Sequence, residues 1–255
     1  MPLNGKHVVV TGGAGGIGSQ LCTALAAKGA SITVIDRVEV LPFEAGYIRG
    51  DLSTFEGIRA VADQLRTQPV DVLINLAGIQ YFGECDQQDA AQTALTYMVN
   101  LMAPVMLTQA VLPRMKFHNK GHIVNVGSIF GSINFAYFTT YSSSKAGLKG
   151  FSEALRREVA ADDVHVTYVA PRAVKTSLNT GKVMELAART KMHMDSPEWV
   201  VARIMDAVLA QSKDVYLGFP EALFVRINAL FPRLVDKALA KNDAIARQIA
   251  TQPRS

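Results

Sequence analysis

His7-Val8-Val9-Val10-Thr11-Gly12-Gly13-Ala14-Gly15-Gly16-Ile17-Gly18 stands near the start of a chain of 255 residues. The run from His7 to Thr11 is apolar without a break, as in a strand buried on both faces. Five of the next seven residues are glycine. Glycine turns tightly and leaves open the space that a Cβ would fill. From Gln20 to Ala27 the apolar spacing is helical. The turn therefore opens a helix, whose free N–H groups and partial positive charge suit phosphate groups. A flexible turn is one reading. A strand before and a helix after favour dinucleotide binding, through Gly12, Gly16, Ile17 and Gly18.

The same alternation continues outward. Ser31–Ile35, Tyr47–Arg49, Val70–Asn75, His122–Val126, Val164–Val169 and Val215–Leu217 read as strands. Ile58–Leu65, a long run from Ala90 to Met115, Ser142–Ala160 and Pro197–Ala210 read as helices. Apolar strands each followed by a helix predict an α/β, doubly wound, Rossmann-type parallel sheet. We expect a single domain over residues 1–219, with a C-terminal helical extension over 220–255.

Composition narrows the function classes. The chain is 49% hydrophobic and 19% charged, enough to bury a core and unlike a disordered chain. Cys22 and Cys85 form no disulfide framework, and we expect ordinary buried or half-buried thiols in a reducing compartment. The five histidines are scattered, so no metal is expected. We expect neither a signal peptide nor a bilayer-spanning stretch, hence a cytoplasmic protein. The net charge is +4, and from Pro220 onward six basic residues face three acidic ones. Without interleaved aromatics this does not predict nucleic-acid binding.

In a doubly wound sheet the ligand sits outside the carboxyl ends of the strands, where the polar motifs of this chain fall. Asp36 ends the second strand and suits ribose hydroxyls. A carboxylate there favours NAD over NADP, although Arg37 beside it suits a phosphate. Asp51-Leu52 and Asn75-Leu76-Ala77-Gly78 follow the next strands. Asp51 could hold the adenine amino group, and Ala77 and Gly78 leave room for ribose. Each of these also reads as ordinary loop chemistry.

Tyr141 and Lys145 lie four residues apart, on one helix face. A nearby ammonium, together with the positive charge of an oxidised nicotinamide, stabilises a tyrosinate and draws its pKa toward working pH, as general acid–base catalysis requires. An exposed tyrosine beside a solvated lysine is the other reading. Ser128, at the end of the fifth strand, could hydrogen-bond a substrate oxygen. Asn100 is a polar residue in an apolar helix; it could hold a proton-relaying water or satisfy a kink.

Together these motifs resemble the short-chain dehydrogenase/reductase family in its compact form. They are T-G-x-x-x-G-x-G at Thr11–Gly18, Asp51-Leu52, N-x-A-G at Asn75–Gly78, Asn100, Ser128, Y-x-x-x-K at Tyr141–Lys145, and Pro171–Thr176. The resemblance implies an NAD(P)-dependent oxidoreductase interconverting secondary alcohols and ketones. It implies a catalytic set of Asn100, Ser128, Tyr141 and Lys145. Tyr141 and Lys145 would also touch the nicotinamide ribose, with Pro171, Val174 and Thr176 at the nicotinamide end and Thr176 on its carboxamide. A homodimer or homotetramer is expected on the same ground. The alternatives are a 3-oxoacyl-thioester reductase and a non-catalytic dinucleotide-binding protein.

Two departures stand out. Arg172 occupies a position where the family usually has glycine; it could attract an anionic substrate group or point to solvent. The C-terminal stripe of Leu223, Ile227, Leu230, Leu234 and Ala238, interrupted by Pro232, could cover the pocket, form a dimer contact or rest on a membrane. Ile79, Tyr81, Phe82, Ile129, Phe130, Ile133, Phe135 and Phe138 suggest a lipophilic substrate, or they pack on one another.

Overall fold

The computed structural model describes residues 1–179 and 181–252. The chain runs β1 (His7–Thr11), α1 (Gly16–Ala26), β2 (Ser31–Asp36), β3 (Gly46–Arg49), α2 (Phe55–Arg66), β4 (Val72–Asn75), α3 (Ala90–Tyr97), α4 (Ala103–Phe117), β5 (Gly121–Val126), α5 (Thr139–Glu158), β6 (Val164–Ala170), α6 (Gly181–Thr190), α7 (Pro197–Ala210), β7 (Asp214–Tyr216), α8 (Glu221–Leu230) and α9 (Pro232–Ala250). All strand pairs are parallel, in the order β3-β2-β1-β4-β5-β6-β7. The expected doubly wound sheet is present. Its strand order reverses direction beside β1, which opens a crevice between the ends of β1 and β4.

Two cores sandwich the sheet. Val8 and Val10 face Leu21 and Leu25 of α1 and Ile204 and Val208 of α7. Val9 points the other way, toward Ile58 and Leu65 of α2, Leu107 and Val111 of α4, and Leu155 of α5. The two-residue side-chain period of a strand produces this split, and it explains why the strands read as continuous apolar runs. The helices start where the sequence offers caps. The Thr54 side chain accepts from the Gly57 N–H, and Ser196, just before Pro197, accepts from the Trp199 N–H.

The long helix departs from expectation. Between α3 and α4 it passes through one π-helical turn, Met98–Met102. Pro104 has no N–H to donate to the Asn100 carbonyl four residues back, so the α ladder is interrupted there. The run Ala90–Phe117 is, by length and apolar composition, capable of crossing a membrane, contrary to the expectation of no such stretch. Half of its most apolar window is buried, and Leu107, Ala110, Val111 and Met115 lie in the core. Helix α5 begins at Thr139, three residues earlier than expected, which puts Tyr141 inside its first turn. Helix α6 was not anticipated, although Val183, Leu186 and Ala187 carry a helical spacing. Pro232 divides α8 from α9, and α9 continues past Ala240 to Ala250. Cys22 is buried, whereas Cys85 is exposed because it begins a surface turn rather than a core element.

Candidate active site

The glycine turn after β1 is a cradle without room for side chains. Gly12 has φ +69°, and a Cβ on it would stand 2.9 Å from the Ala77 Cα. One on Gly18 would stand 2.2 Å from the Gly12 carbonyl oxygen. Thr11 locks the turn to the exit of β4: its hydroxyl oxygen accepts from the Leu76 and Ala77 N–H groups, each at 3.0 Å. A Cβ on Gly16 would lie 3.6 Å from the Thr176 side chain, so the segment after β6 approaches the turn across the crevice. Ile17, Pro171, Val174 and Thr176 line that crevice together with Gly78.

Asp36 closes the other end. Its carboxylate accepts from the Ala14 N–H at 3.0 Å and the Arg37 N–H at 2.8 Å. Arg37 is exposed. Bonds from Ser53 hold the Asp51 carboxyl below the usual carboxylate range, and the Arg37 charge adds to the effect. The Leu52 side chain is buried beneath α2. The Asn75 side chain is turned inward: it donates to Asn125 at 2.8 Å, and Asn125 donates to Ser152 at 2.9 Å. Asn75 thus ties β4 to β5 and α5 beneath the crevice.

The second half of the site gathers at the ends of β5 and the start of α5. Ser128, Tyr141 and Lys145 line the crevice along with Phe130 and Phe138. The Lys145 ammonium donates to the Val126 carbonyl at 3.0 Å. A Cβ on Gly78 would lie 3.3 Å from Lys145 Nζ and 3.4 Å from Asn100 Oδ1, so Gly78 leaves the space where these groups meet. Asn100 accepts from the Ile79 N–H at 2.9 Å and donates to the Ile79 carbonyl at 2.8 Å and to Ser144 at 3.0 Å. Its side chain clamps the exit of β4 to α5, leaving the Asn100 amide little capacity to hold a relaying water.

Burial dominates the electrostatics of the pair. Burial lowers the Lys145 pKa to about 8. Burial also raises Tyr141 above its ordinary value, with the Ser128 hydroxyl opposing. Low polarity penalises the charged form of each residue. Desolvation thus outweighs the other influences on Tyr141, while the Lys145 ammonium gives one of its three hydrogens to the Val126 carbonyl.

Three features escaped sequence reasoning. Tyr168, fully buried on β6, donates to the Ser128 carbonyl at 3.3 Å and accepts from the Ser128 N–H at 3.4 Å. Gly127 makes room for it, since a Cβ there would stand 2.2 Å from the Tyr168 ring. Tyr168 looked like one more strand residue, and only the β5–β6 register places it under Ser128. Helix α6 brings Val183 and Leu186 into a cluster with Phe130, Phe138, Tyr141 and, from α9, Ala246 and Ile249. Arg172 neither faces the crevice as a free cation nor points to solvent. Its guanidinium makes two 2.8 Å bonds to Asp195 and one to Glu221 of α8.

The aromatic residues both line the crevice and pack on one another. Phe130 stands 4.4 Å from Phe135 and 4.9 Å from Phe138, centroid to centroid. Ile129 and Ile133 turn away, toward Val225 and Val235 of the C-terminal helices.

A family model described as short chain dehydrogenase matches residues 6–186. The chain belongs to the short-chain dehydrogenase family. Among curated relatives of this dehydrogenase, D-xylose 1-dehydrogenase of Caulobacter vibrioides is 33% identical over 225 residues, covering 80% of this chain and 88% of that protein. Dehydrogenase/reductase SDR family member 7B of Danio rerio is 29% identical, covering 92% and 84%. Among solved structures, a short-chain dehydrogenase from Sphingobium yanoikuyae in complex with NADPH superposes with a TM-score of 0.78 at 22% identity, over 91% and 95% of the two chains. A 4-hydroxyisoleucine dehydrogenase complexed with NADH gives 0.74 at 22% identity, over 83% and 96%. The dehydrogenase is thus an oxidoreductase acting on CH–OH groups, on the fold that these structural neighbours share.

Proposed function

We propose that this dehydrogenase interconverts a secondary alcohol and its ketone, prefers NAD to NADP, and takes an apolar substrate. The observation that carries the reading is the meeting of Ser128, Tyr141 and Lys145 along one wall of the crevice that begins at the glycine turn. The side-chain-free space at Gly12, Gly18 and Gly78 suits a dinucleotide laid between the ends of β1 and β4. Gly12, Gly16, Ile17 and Gly18 would hold its phosphates. Asp36, Asp51 and the segment Asn75–Gly78 would flank the adenosine, and Pro171, Val174 and Thr176 the nicotinamide end.

A nicotinamide cofactor held there would supply hydride exchange at the substrate carbon and, in its oxidised form, a further positive charge beside Tyr141. In oxidation the Tyr141 oxygen takes the hydroxyl proton of the alcohol; in reduction it returns that proton to the carbonyl oxygen. Ser128 donates a hydrogen bond to the same oxygen, and its hydroxyl accepts from the Phe130 N–H at 3.1 Å, which fixes its direction. Lys145 would hold the cofactor ribose, and its ammonium adds positive charge on the crevice wall that carries Tyr141. Asn100 is a positioning residue that holds the β4 exit against α5.

Phe130, Phe138, Val183 and Met192 on the crevice wall support an apolar substrate. Ala246 and Ile249, at the far end of α9, join the same cluster and would cover it. The Asp36 carboxylate would repel a 2′-phosphate, which supports NAD.

The test is Tyr141→Phe. Nicotinamide binding, measured by fluorescence titration, should stay within about twofold, while kcat falls by about 10³ or more. Retained turnover would refute the mechanism. Equal or tighter binding of NADP than of NAD would refute the Asp36 assignment.

A further inference from the structure

Six of the fifteen exposed large hydrophobic side chains among the described residues fall between Phe219 and Leu234, so this surface is concentrated at one elbow of the fold. Phe219 is 79% exposed, Leu230 72%, Phe231 62% and Leu234 60%. Leu230 ends α8, Phe231 forms the bend, and Leu234 lies in the first turn of α9. On α8, Leu223 and Leu230 share one face with Arg226, opposite the buried Val225. The inner side of the elbow is well packed, with Val225 and Val235 against Ile129 and Ile133. Among the described residues, the outer side is left largely exposed.

Charge on α9 is sorted by face. Arg233, Lys237 and Lys241 recur every four residues and are all exposed, on the side that carries Leu234. The acids of the same helix, Asp236 and Asp243, line a different cavity beside Phe135 and Ser142. Glu221 is already paired with Arg172. Arg226, Arg233, Lys237 and Lys241 make no ion pair among the described residues, so the exposed apolar tip is rimmed by cations. A two-fold contact with a second copy would bring Arg226, Arg233 and Lys237 against their own counterparts, which opposes self-association through this face. A bilayer with anionic headgroups satisfies both halves of the surface: the acyl region takes Leu230, Phe231 and Leu234, and the headgroups take the cations.

We propose that the α8–α9 elbow seats this dehydrogenase on an anionic lipid surface. The contact is peripheral, because the helices around the elbow remain packed on the protein. At its other end the same α9 places Ile249 in the cluster with Phe138 and Tyr141, away from the elbow.

Co-sedimentation of the full chain with vesicles tests this. Wild type should sediment with vesicles of equimolar phosphatidylcholine and phosphatidylglycerol, stay in solution with phosphatidylcholine alone, and be released as salt rises toward about 0.5 M. The triple variant Leu230→Ser, Phe231→Ser, Leu234→Ser should bind the anionic vesicles at least about tenfold more weakly. Arg233→Glu with Lys237→Glu should also weaken binding, and both variants should keep turnover of a soluble substrate. Absence of wild-type binding to either vesicle would overturn the proposal, as would undiminished binding by the triple variant or equal, salt-insensitive binding to neutral vesicles. If light scattering shows that the triple variant dissociates a wild-type oligomer, the patch belongs to a second copy and the proposal fails.

Discussion

Arg172 is predicted to hold the cofactor-facing segment after β6 to the rest of the fold, and replacing it with methionine tests that role quantitatively. Its side chain is 12% exposed, and its main partner, Asp195, is 5% exposed. Asp195 is bonded through its backbone to Ala173 and Lys175, on either side of Val174. The guanidinium also reaches Glu221, which is 26% exposed. Arg172→Met keeps much of the volume and removes the charge, leaving Asp195 buried opposite only a largely exposed His193 at 3.3 Å. Breaking a buried pair in this way costs about 3–5 kcal/mol. The half-wet Glu221 contact adds about 1 kcal/mol at most. At roughly 2 cal/mol/K per residue, a chain of this length has an unfolding entropy near 0.5 kcal/mol/K, so Tm should fall by about 6–12 °C. The double variant Arg172→Met, Asp195→Leu should recover most of that loss, because an apolar pair needs no charge compensation. Scanning calorimetry of the four proteins of the cycle measures the coupling. KM for the nicotinamide cofactor should rise in the single variant, since Val174 and Thr176 lie in the released segment. A single-variant Tm within about 2 °C of wild type, or no recovery in the double variant, would refute the clamp.

Two further predictions follow from buried groups. Tyr168→Phe leaves the Ser128 N–H without its partner, so stability should drop by about 1–2 kcal/mol. The value of kcat should fall severalfold with cofactor affinity unchanged; a change in affinity alone would argue against a Ser128-positioning role. His122 is fully buried on β5, bonded to Thr167 at 2.8 Å, and burial holds its pKa down at about 3. The unfolded chain takes up this proton near pH 6.5, whereas the folded chain takes it up only near 3. Unfolding is therefore favoured progressively as pH falls through that window, and stability rises again with pH up to about 6.5. Urea unfolding between pH 4 and 7 should show this slope, and His122→Gln should flatten it. An unchanged slope would show that other groups set the acid sensitivity.

The turn at Gly12–Gly18 was legible in the sequence because each of its properties is local. The β-branched run, the glycines and the helical spacing after them all act within about ten residues. Tyr141 and Lys145 were legible for the same reason, since four residues of helix place two side chains on one face whatever the rest of the chain does. Alternation of such units sufficed to predict the parallel sheet. The partners of single polar side chains were not legible, because they lie on elements far apart in sequence. Asn75 meets Asn125 across β4 and β5, Tyr168 reaches Ser128 from β6, and Arg172 finds Asp195 and Glu221. Burial is equally a tertiary quantity: it sends the pKa values of Tyr141 and Lys145 apart, where pair spacing alone suggested that the lysine would acidify the tyrosine. Local sequence determined which residues could form a dinucleotide turn and a Tyr–Lys face. Packing alone decided what surrounds them, because desolvation and hydrogen-bond partners depend on every element that folds against the site.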